Sequence, residues 1–201
     1  ESDEFNDAQI GLQWSWNANQ KVTWSVPMPT KGVLRLLAFP KPGIDASLWD
    51  VPNIITQRLP AETFTATTKV CLTTERDVWQ GKQAGLIMLG NDYSYLAVRK
   101  DAEGCYVEQL LNEGANMGNS EKSLAKIRIL EADIYLRVRV NGPNARCQFS
   151  YSEDGKNFHE IGQEFQASRV LWSSAKVGIF CSSEKGARIG GYADFDWFRV
   201  E

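Results

Sequence analysis

Apolar and polar residues alternate with a period of two in short runs throughout this chain, and few segments show a helical period. IYLRVRV (134–140) sets Ile134, Leu136, Val138 and Val140 on one face and Tyr135, Arg137 and Arg139 on the other. That is the pattern of a half-buried strand. RCQFSYS (146–152) groups Cys147, Phe149 and Tyr151. YADFDWFRV (192–200) groups Ala193, Phe195 and Trp197 against Asp194 and Asp196, which assigns Trp197 to the core. KVTWSV (21–26), GVLRLLAF (32–39), FTATTKVCL (64–72) and KVGIFCS (176–182) are further strands.

Turn chemistry punctuates these runs. SEDGKNF (152–158) is an Asp-Gly hairpin turn, Gly90-Asn91-Asp92 turns LIML back on YSYLAV, and DAEGC (101–105) makes a third hairpin. SLWDVPN (47–53) has room for a single helical turn before Pro52. Strands at intervals of roughly 8–12 residues with such turns give a sandwich or a barrel. With no linker or repeat in the 201 residues, the expectation is one domain over 1–201, an all-β, two-sheet antiparallel β-sandwich.

Composition removes several function classes. A net charge of −3 leaves no basic footprint for nucleic acid. No apolar run approaches the roughly 20 residues of a membrane span. The opening ESDEFND has neither the basic nor the apolar region of a secretion signal. Cys71, Cys105, Cys147 and Cys181 form no CxxC pair, so a zinc site is not expected, and they read as buried free thiols in a sheet.

The usual catalytic constellations are missing. A triad would have to use His159, the single histidine, which falls at a solvent-facing strand end just past a hairpin turn. No phosphate loop, HExxH or EF-hand pattern occurs. Asp194 and Asp196 share a strand face and sit too close together to flank a glycosidic bond. No cofactor is expected. Asp3, Asp45, Asp50 and Asp196 are candidate oxygen ligands for a structural calcium ion, without a defined ligand set.

Aromatic side chains are the distinctive resource. Of seven tryptophans, Trp14, Trp16, Trp24 and Trp49 fall in the first quarter, beside Gln13, Asn17, Asn19 and Asp50. Indole faces stack on the C–H faces of sugars, and the amides and acid suit sugar hydroxyls. The same rings equally suit a core or an interdomain contact. Trp79 differs, because TERDVWQGKQAGL (74–86) surrounds it with Asp77, Gln80 and other polar residues. A tryptophan in a loop on a rigid sheet is placed either for recognition or for packing across a hairpin end.

DEFN, LQWSWNAN, GVLRL, WDVPNIITQRLP, FTATTKV, AGLIMLGNDYSYLAV and CQFSYSEDGKNF succeed one another in an order that resembles one family. It is the C-terminal concanavalin A-like β-sandwich appended to glycoside hydrolase family 43 enzymes, the β-xylosidase and α-L-arabinofuranosidase group. The resemblance spans about residues 3–200. It implies a catalytic five-bladed β-propeller upstream in the same polypeptide, carrying the catalytic acids, with no catalytic residue in this chain. It implies that one sandwich loop reaches the active-site pocket, with an aromatic residue ahead of a motif like QQxAGL. VWQGKQAGL is the counterpart here, with spacing one residue longer, and assigns substrate contact to Trp79, Gln80 and Asp77. Plant-type oligosaccharide or polysaccharide is the implied substrate, and a bacterial periplasmic or secreted setting the implied location. The resemblance leaves two readings: an accessory domain that packs on the propeller, or an autonomous carbohydrate-binding module using Trp14, Trp16, Trp24 and Trp49. The first also calls for an exposed apolar patch.

Overall fold

The computed structural model describes residues 1–43, 47–73, 80–170, 173–188 and 190–201. In chain order the strands are β1 (Ser15–Trp16), β2 (Ser25–Met28), β3 (Val33–Leu37), β4 (Phe39–Pro40), β5 (Ile55–Arg58), β6 (Phe64–Leu72), β7 (Lys82–Leu89) and β8 (Tyr93–Asp101). Next come β9 (Gly104–Asn112), β10 (Lys122–Ile129), β11 (Asp133–Asn141), β12 (Arg146–Ser152), β13 (His159–Glu160), β14 (Phe165–Gln166), β15 (Lys176–Ser183) and β16 (Tyr192–Val200). They form the expected two-sheet sandwich. The first sheet runs β1-β5-β15-β7-β8-β9-β10, and the second β13-β12-β11-β6-β16-β3-β2. Pairing is antiparallel except where β4 lies parallel to β15.

The alternation of β11 survives intact. Ile134, Leu136, Val138 and Val140 are fully buried between the sheets with Phe149 and Cys147 of β12, whereas Arg137 and Arg139 face outward. The hairpins at 90–92 and 102–103 form as the turn residues require. In the third, the Asp154 carboxylate accepts hydrogen bonds from the backbone N–H of Lys156 and Asn157, both at 2.8 Å, and Gly155 takes φ +72°. Leu48–Asp50 is a single 3₁₀ turn closed by a capping box between Ser47 and Asp50.

Strand β7 does not alternate; all eight of its residues are buried. Its inner side chains, Ala84, Leu86 and Met88, join the core between the sheets. On its other side Ile87 and Leu89, with Tyr93, Tyr95 and Phe180, pack under Leu48, Val51 and Ile54. Around β7 the first sheet is thus buried on both faces, which is why residues 84–89 read as one continuous apolar run.

Three sequence expectations are corrected. Trp197 is outside the core. The register of β16 on β6 slips between Phe195 and Trp197, so Asp196 is an inserted residue and Phe198 takes the inward position. Phe198 is fully buried, while Trp197 lies outside, 6.0 Å from the Tyr135 ring and under the Arg199 guanidinium at 4.3 Å. A bulge of one residue inverts the phase of a period-two pattern. Cys71 is exposed, because it shares the outward phase of β6 with Lys69; Cys105, Cys147 and Cys181 are buried free thiols as expected. The run 21–26 becomes strand only from Ser25, since Trp24 closes a turn by donating its N–H to the Lys21 carbonyl at 3.1 Å.

Candidate functional site

Trp79 and Asp77 lie outside the described residues, as does Asp45. Gln80 is exposed and stands beside that segment of the chain. Immediately after it, residues 81–83 belong to a rigid base. Lys82 is only 1% exposed, and burial lowers its affinity for a proton. Its ammonium reaches across to the segment 184–188, donating to the Arg188 carbonyl at 2.6 Å and to the Gln80 carbonyl at 3.5 Å. Glu184 N–H donates to the Gly81 carbonyl at 2.8 Å. Arg99 then bridges Glu108 at 2.7 Å and Glu184 at 2.8 Å. Beside it the Gln83 amide donates to Ser182 Oγ at 3.1 Å, while its buried carbonyl oxygen has no partner among the described residues. The strand-starting end of β7 is therefore laced to the strand-finishing end of β15, and residues 74–79 join the chain at this fixed base. The ties to Arg188, Glu184 and Ser182 all reach residues distant in sequence.

The outer face of the first sheet is closed by the chain itself. Glu121, its side chain 10% exposed, accepts four hydrogen bonds. They come from Tyr93 Oη (2.6 Å), Leu48 N (3.0 Å), Tyr95 Oη (3.0 Å) and Lys41 Nζ (2.6 Å). Burial opposes its charge, but Lys41 and these donors outweigh it and hold the carboxyl below its ordinary value. The 3₁₀ segment is thereby pinned onto the sheet. No sequence motif marked Glu121.

The four early tryptophans have different fates. Trp24 is 2% exposed, with Trp16 and Phe39 against its ring, and its indole N–H has no partner among the described residues. Trp14 is buried against Phe5 and Phe198 and donates to Asp3 Oδ2 at 2.8 Å. Trp16 is half-buried on the core, and Trp49 is half-buried on the cluster over the first sheet. Around Trp14 and Trp16 opens a cavity of about 490 Å³ lined also by Ile10, Leu12, Val22 and Pro27. Leu12 and Val22 are almost wholly in solvent, at 104% and 92% exposure. They are the two most exposed large apolar side chains among the described residues, with Leu130 and Met117 exposed elsewhere.

The candidate calcium ligands that are described have other work. Asp3 receives Trp14 and Gln13, Asp50 caps the 3₁₀ turn, and Asp196 pairs with Lys69 at 2.7 Å. Among the described residues no three His, Cys, Asp or Glu side chains converge on a metal-sized space. Asp194 pairs with Arg35 at 2.7 Å, and His159 is exposed beside Tyr151.

A family profile described as the β-xylosidase C-terminal concanavalin A-like domain matches residues 2–201. A β-xylosidase of Formosa agariphila is 27% identical over 99% of this chain and 34% of its own length. The chain spans about a third of the curated relatives it matches. A GH43 protein from Bacillus licheniformis superposes with a TM-score of 0.81 at 24% identity, covering 99% of this chain and 38% of the other. A bifunctional GH43-CE protein of Bacteroides eggerthii gives a TM-score of 0.84 at 24% identity, over 100% of this chain and 25% of its own.

Proposed function

The chain belongs to the family of β-xylosidase C-terminal concanavalin A-like domains, and from that premise we propose that it is the accessory domain of a family 43 glycoside hydrolase. It packs on a catalytic propeller of the same polypeptide and lends the loop through Asp77, Trp79 and Gln80 to the pocket where a terminal sugar is removed from plant hemicellulose. A pocket enzyme of this type needs one wall closed, and an aromatic residue delivered by a second domain shapes the subsite and excludes water.

One observation carries the reading. Leu12 and Val22 stand almost wholly exposed at the rim of a cavity of mixed lining that also holds Trp14 and Trp16. Covering a Leu or Val side chain contributes roughly 1.5–3 kcal/mol, so two together justify an interdomain contact. The rigid base beside residues 74–79 further suits a loop that must hold one geometry. The autonomous carbohydrate-binding alternative is weaker. Two of its four tryptophans, Trp14 and Trp24, are buried.

The test uses both the isolated chain and the parent enzyme. Leu12→Ser with Val22→Ser leaves the isolated chain within about 0.5 kcal/mol of its stability, as for exposed surface sites. The same pair lowers the melting temperature and activity of the parent. Equal effects in both, or none in the parent, refute the docking surface. Trp79→Ala in the parent raises KM or lowers kcat without a change in melting temperature. Saturable binding of xylo-oligosaccharides by the isolated chain, followed by tryptophan fluorescence, would favour the binding-module reading.

A further inference from the structure

The outer face of the second sheet holds a built polar cavity that the accessory role does not use. It measures about 340 Å³ and is lined by Thr65, Arg137, Arg139, Gln148, Ser150, Phe158, Glu160 and Glu201. The strand register explains why these residues meet. Thr67 of β6, Arg137 of β11, Ser150 of β12 and Glu160 of β13 are successive cross-strand neighbours. Thr65, Arg139 and Gln148 form the adjoining row, with Glu201 tied to Thr65 by paired backbone hydrogen bonds of 2.8 and 2.9 Å. Outward residues two apart on one strand occupy one face.

Arg137 is the fixed element. Its Nε donates to Thr67 Oγ1 at 3.0 Å, and its guanidinium lies 3.5 Å from the centre of the Phe158 ring. Phe158 comes after the Asp154 turn, which is locked by the two backbone hydrogen bonds to the Asp154 carboxylate and by Asn157 Nδ2 at 2.7 Å. Among the described residues, Arg137 has no carboxylate partner, and its two terminal nitrogens make no hydrogen bond. A guanidinium stacked on one face and held at Nε presents its remaining N–H groups as a fork for a carboxylate. Arg139 stands two residues along the same face, its pairing with Glu160 long at 3.5 Å.

We propose that this cavity binds a uronic acid residue, its carboxylate on Arg137 and Arg139 and its hydroxyls on Glu160, Glu201 and Gln148. The mixed lining selects the ligand class. Inorganic phosphate brings at most one or two O–H donors and up to two negative charges, so it satisfies the two glutamates poorly and is repelled by them. A neutral sugar offers the Arg137 fork only uncharged hydroxyl acceptors, without the gain of a charge-assisted pair. A sugar acid brings one anionic acceptor for the arginines and several donors for the carboxylates. The Gln148 side chain, whose amide N–H₂ is committed to the carbonyls of Phe149 and Ile161, offers its carbonyl oxygen as one further acceptor. This site lies on the outer face of the second sheet, away from the cluster that covers the first.

The test is calorimetric titration of the 201-residue chain at low ionic strength with sodium D-glucuronate, D-glucose and inorganic phosphate. Glucuronate should bind once and saturably, with glucose and phosphate each weaker by about tenfold or more, the margin one charge-assisted bidentate contact supplies. Arg139→Gln, at an exposed position that leaves folding intact, and Arg137→Lys, which keeps the charge and loses the fork, should each weaken glucuronate by a similar factor. Binding of glucose as tight as glucuronate overturns the proposal, as does tighter binding of phosphate. No glucuronate binding up to about 50 mM, far weaker than a specific site of this kind allows, overturns it too. So does a glucuronate affinity unchanged in Arg139→Gln.

Discussion

Replacing Glu121 by glutamine tests the reasoning about how the outer face of the first sheet is closed. The amide oxygen can still accept from Tyr93 and Leu48, which share Oε1, and the Tyr95 hydroxyl can turn to accept from the new amide N–H₂. Lys41 cannot adapt. Its ammonium, side chain 12% exposed and 2.6 Å from Oε2, would face two N–H donors. Removing one member of a buried pair costs about 3–5 kcal/mol, and the partial exposure of Lys41 places the expectation at the lower end, about 3 kcal/mol. With a urea slope of about 3 kcal/mol/M for a chain of this length, the unfolding midpoint should fall by about 1 M. The double variant Glu121→Gln with Lys41→Met should recover part of the loss, because no ammonium is then stranded. The pH dependence has a definite sign. The folded carboxyl titrates below its ordinary 4.5, so its contribution is complete above that value and is lost as pH falls through the lower folded value. The difference between the parent chain and Glu121→Gln should therefore shrink in acid. A midpoint shift under about 0.3 M, or a double-mutant cycle additive within about 0.5 kcal/mol, refutes the argument.

The bulge in β16 makes a second prediction: Phe198→Ala should cost about 3–5 kcal/mol as a buried aromatic deletion, and Trp197→Ala only about 1 kcal/mol, by denaturant midpoints. The reverse order would restore the unbroken alternation. A third concerns the thiols. In the native chain a disulfide reagent should label Cys71 alone, slowly and faster as pH rises, since burial and the nearby Asp133 and Asp194 push its thiol up. Cys147, pushed up to about 12 by burial, and the fully buried Cys181 should react only on unfolding, and Cys105, buried with a small residual exposure, far more slowly than Cys71; early labelling of two or more thiols by intact mass would contradict the packing.

Local signals carried much of the architecture. The period-two pattern of 134–140 matches β11 residue for residue, because one of its faces meets a core and the other meets water. The Asp-Gly turn at 154–155 needed only its own side chain and a glycine able to take positive φ. The order of motifs from DEFN to CQFSYSEDGKNF carried the family, because the spacing of strands and turns along the chain is itself a record of the fold. The pattern failed where one residue was added. Nothing in YADFDWFRV announces that Asp196 is extra, since a bulge arises from the register of two strands whose pairing joins residues more than 120 positions apart.

The candidate sites divide the same way. Sequence drew attention to Trp79 as an indole in a polar loop and to Trp14, Trp16, Trp24 and Trp49 as a cluster. It could not distinguish the buried Trp24 from the half-buried Trp16, because burial of a ring depends on what packs over it from elsewhere in the chain. Glu121 is one acid among twenty-five acidic residues until Lys41, Leu48, Tyr93 and Tyr95 converge on it. Lys82 similarly acquires its meaning from the Arg188 carbonyl, and Arg137 from Phe158 and Thr67. The sequence determined by itself which stretches become strands, where they turn and which family they compose, since these come from steric and hydrophobic periodicities a few residues long. Only the tertiary structure decided which face Trp197 takes, which charges are buried and satisfied, and where open cavities remain, since each is a sum over neighbours that the chain brings together only when it folds.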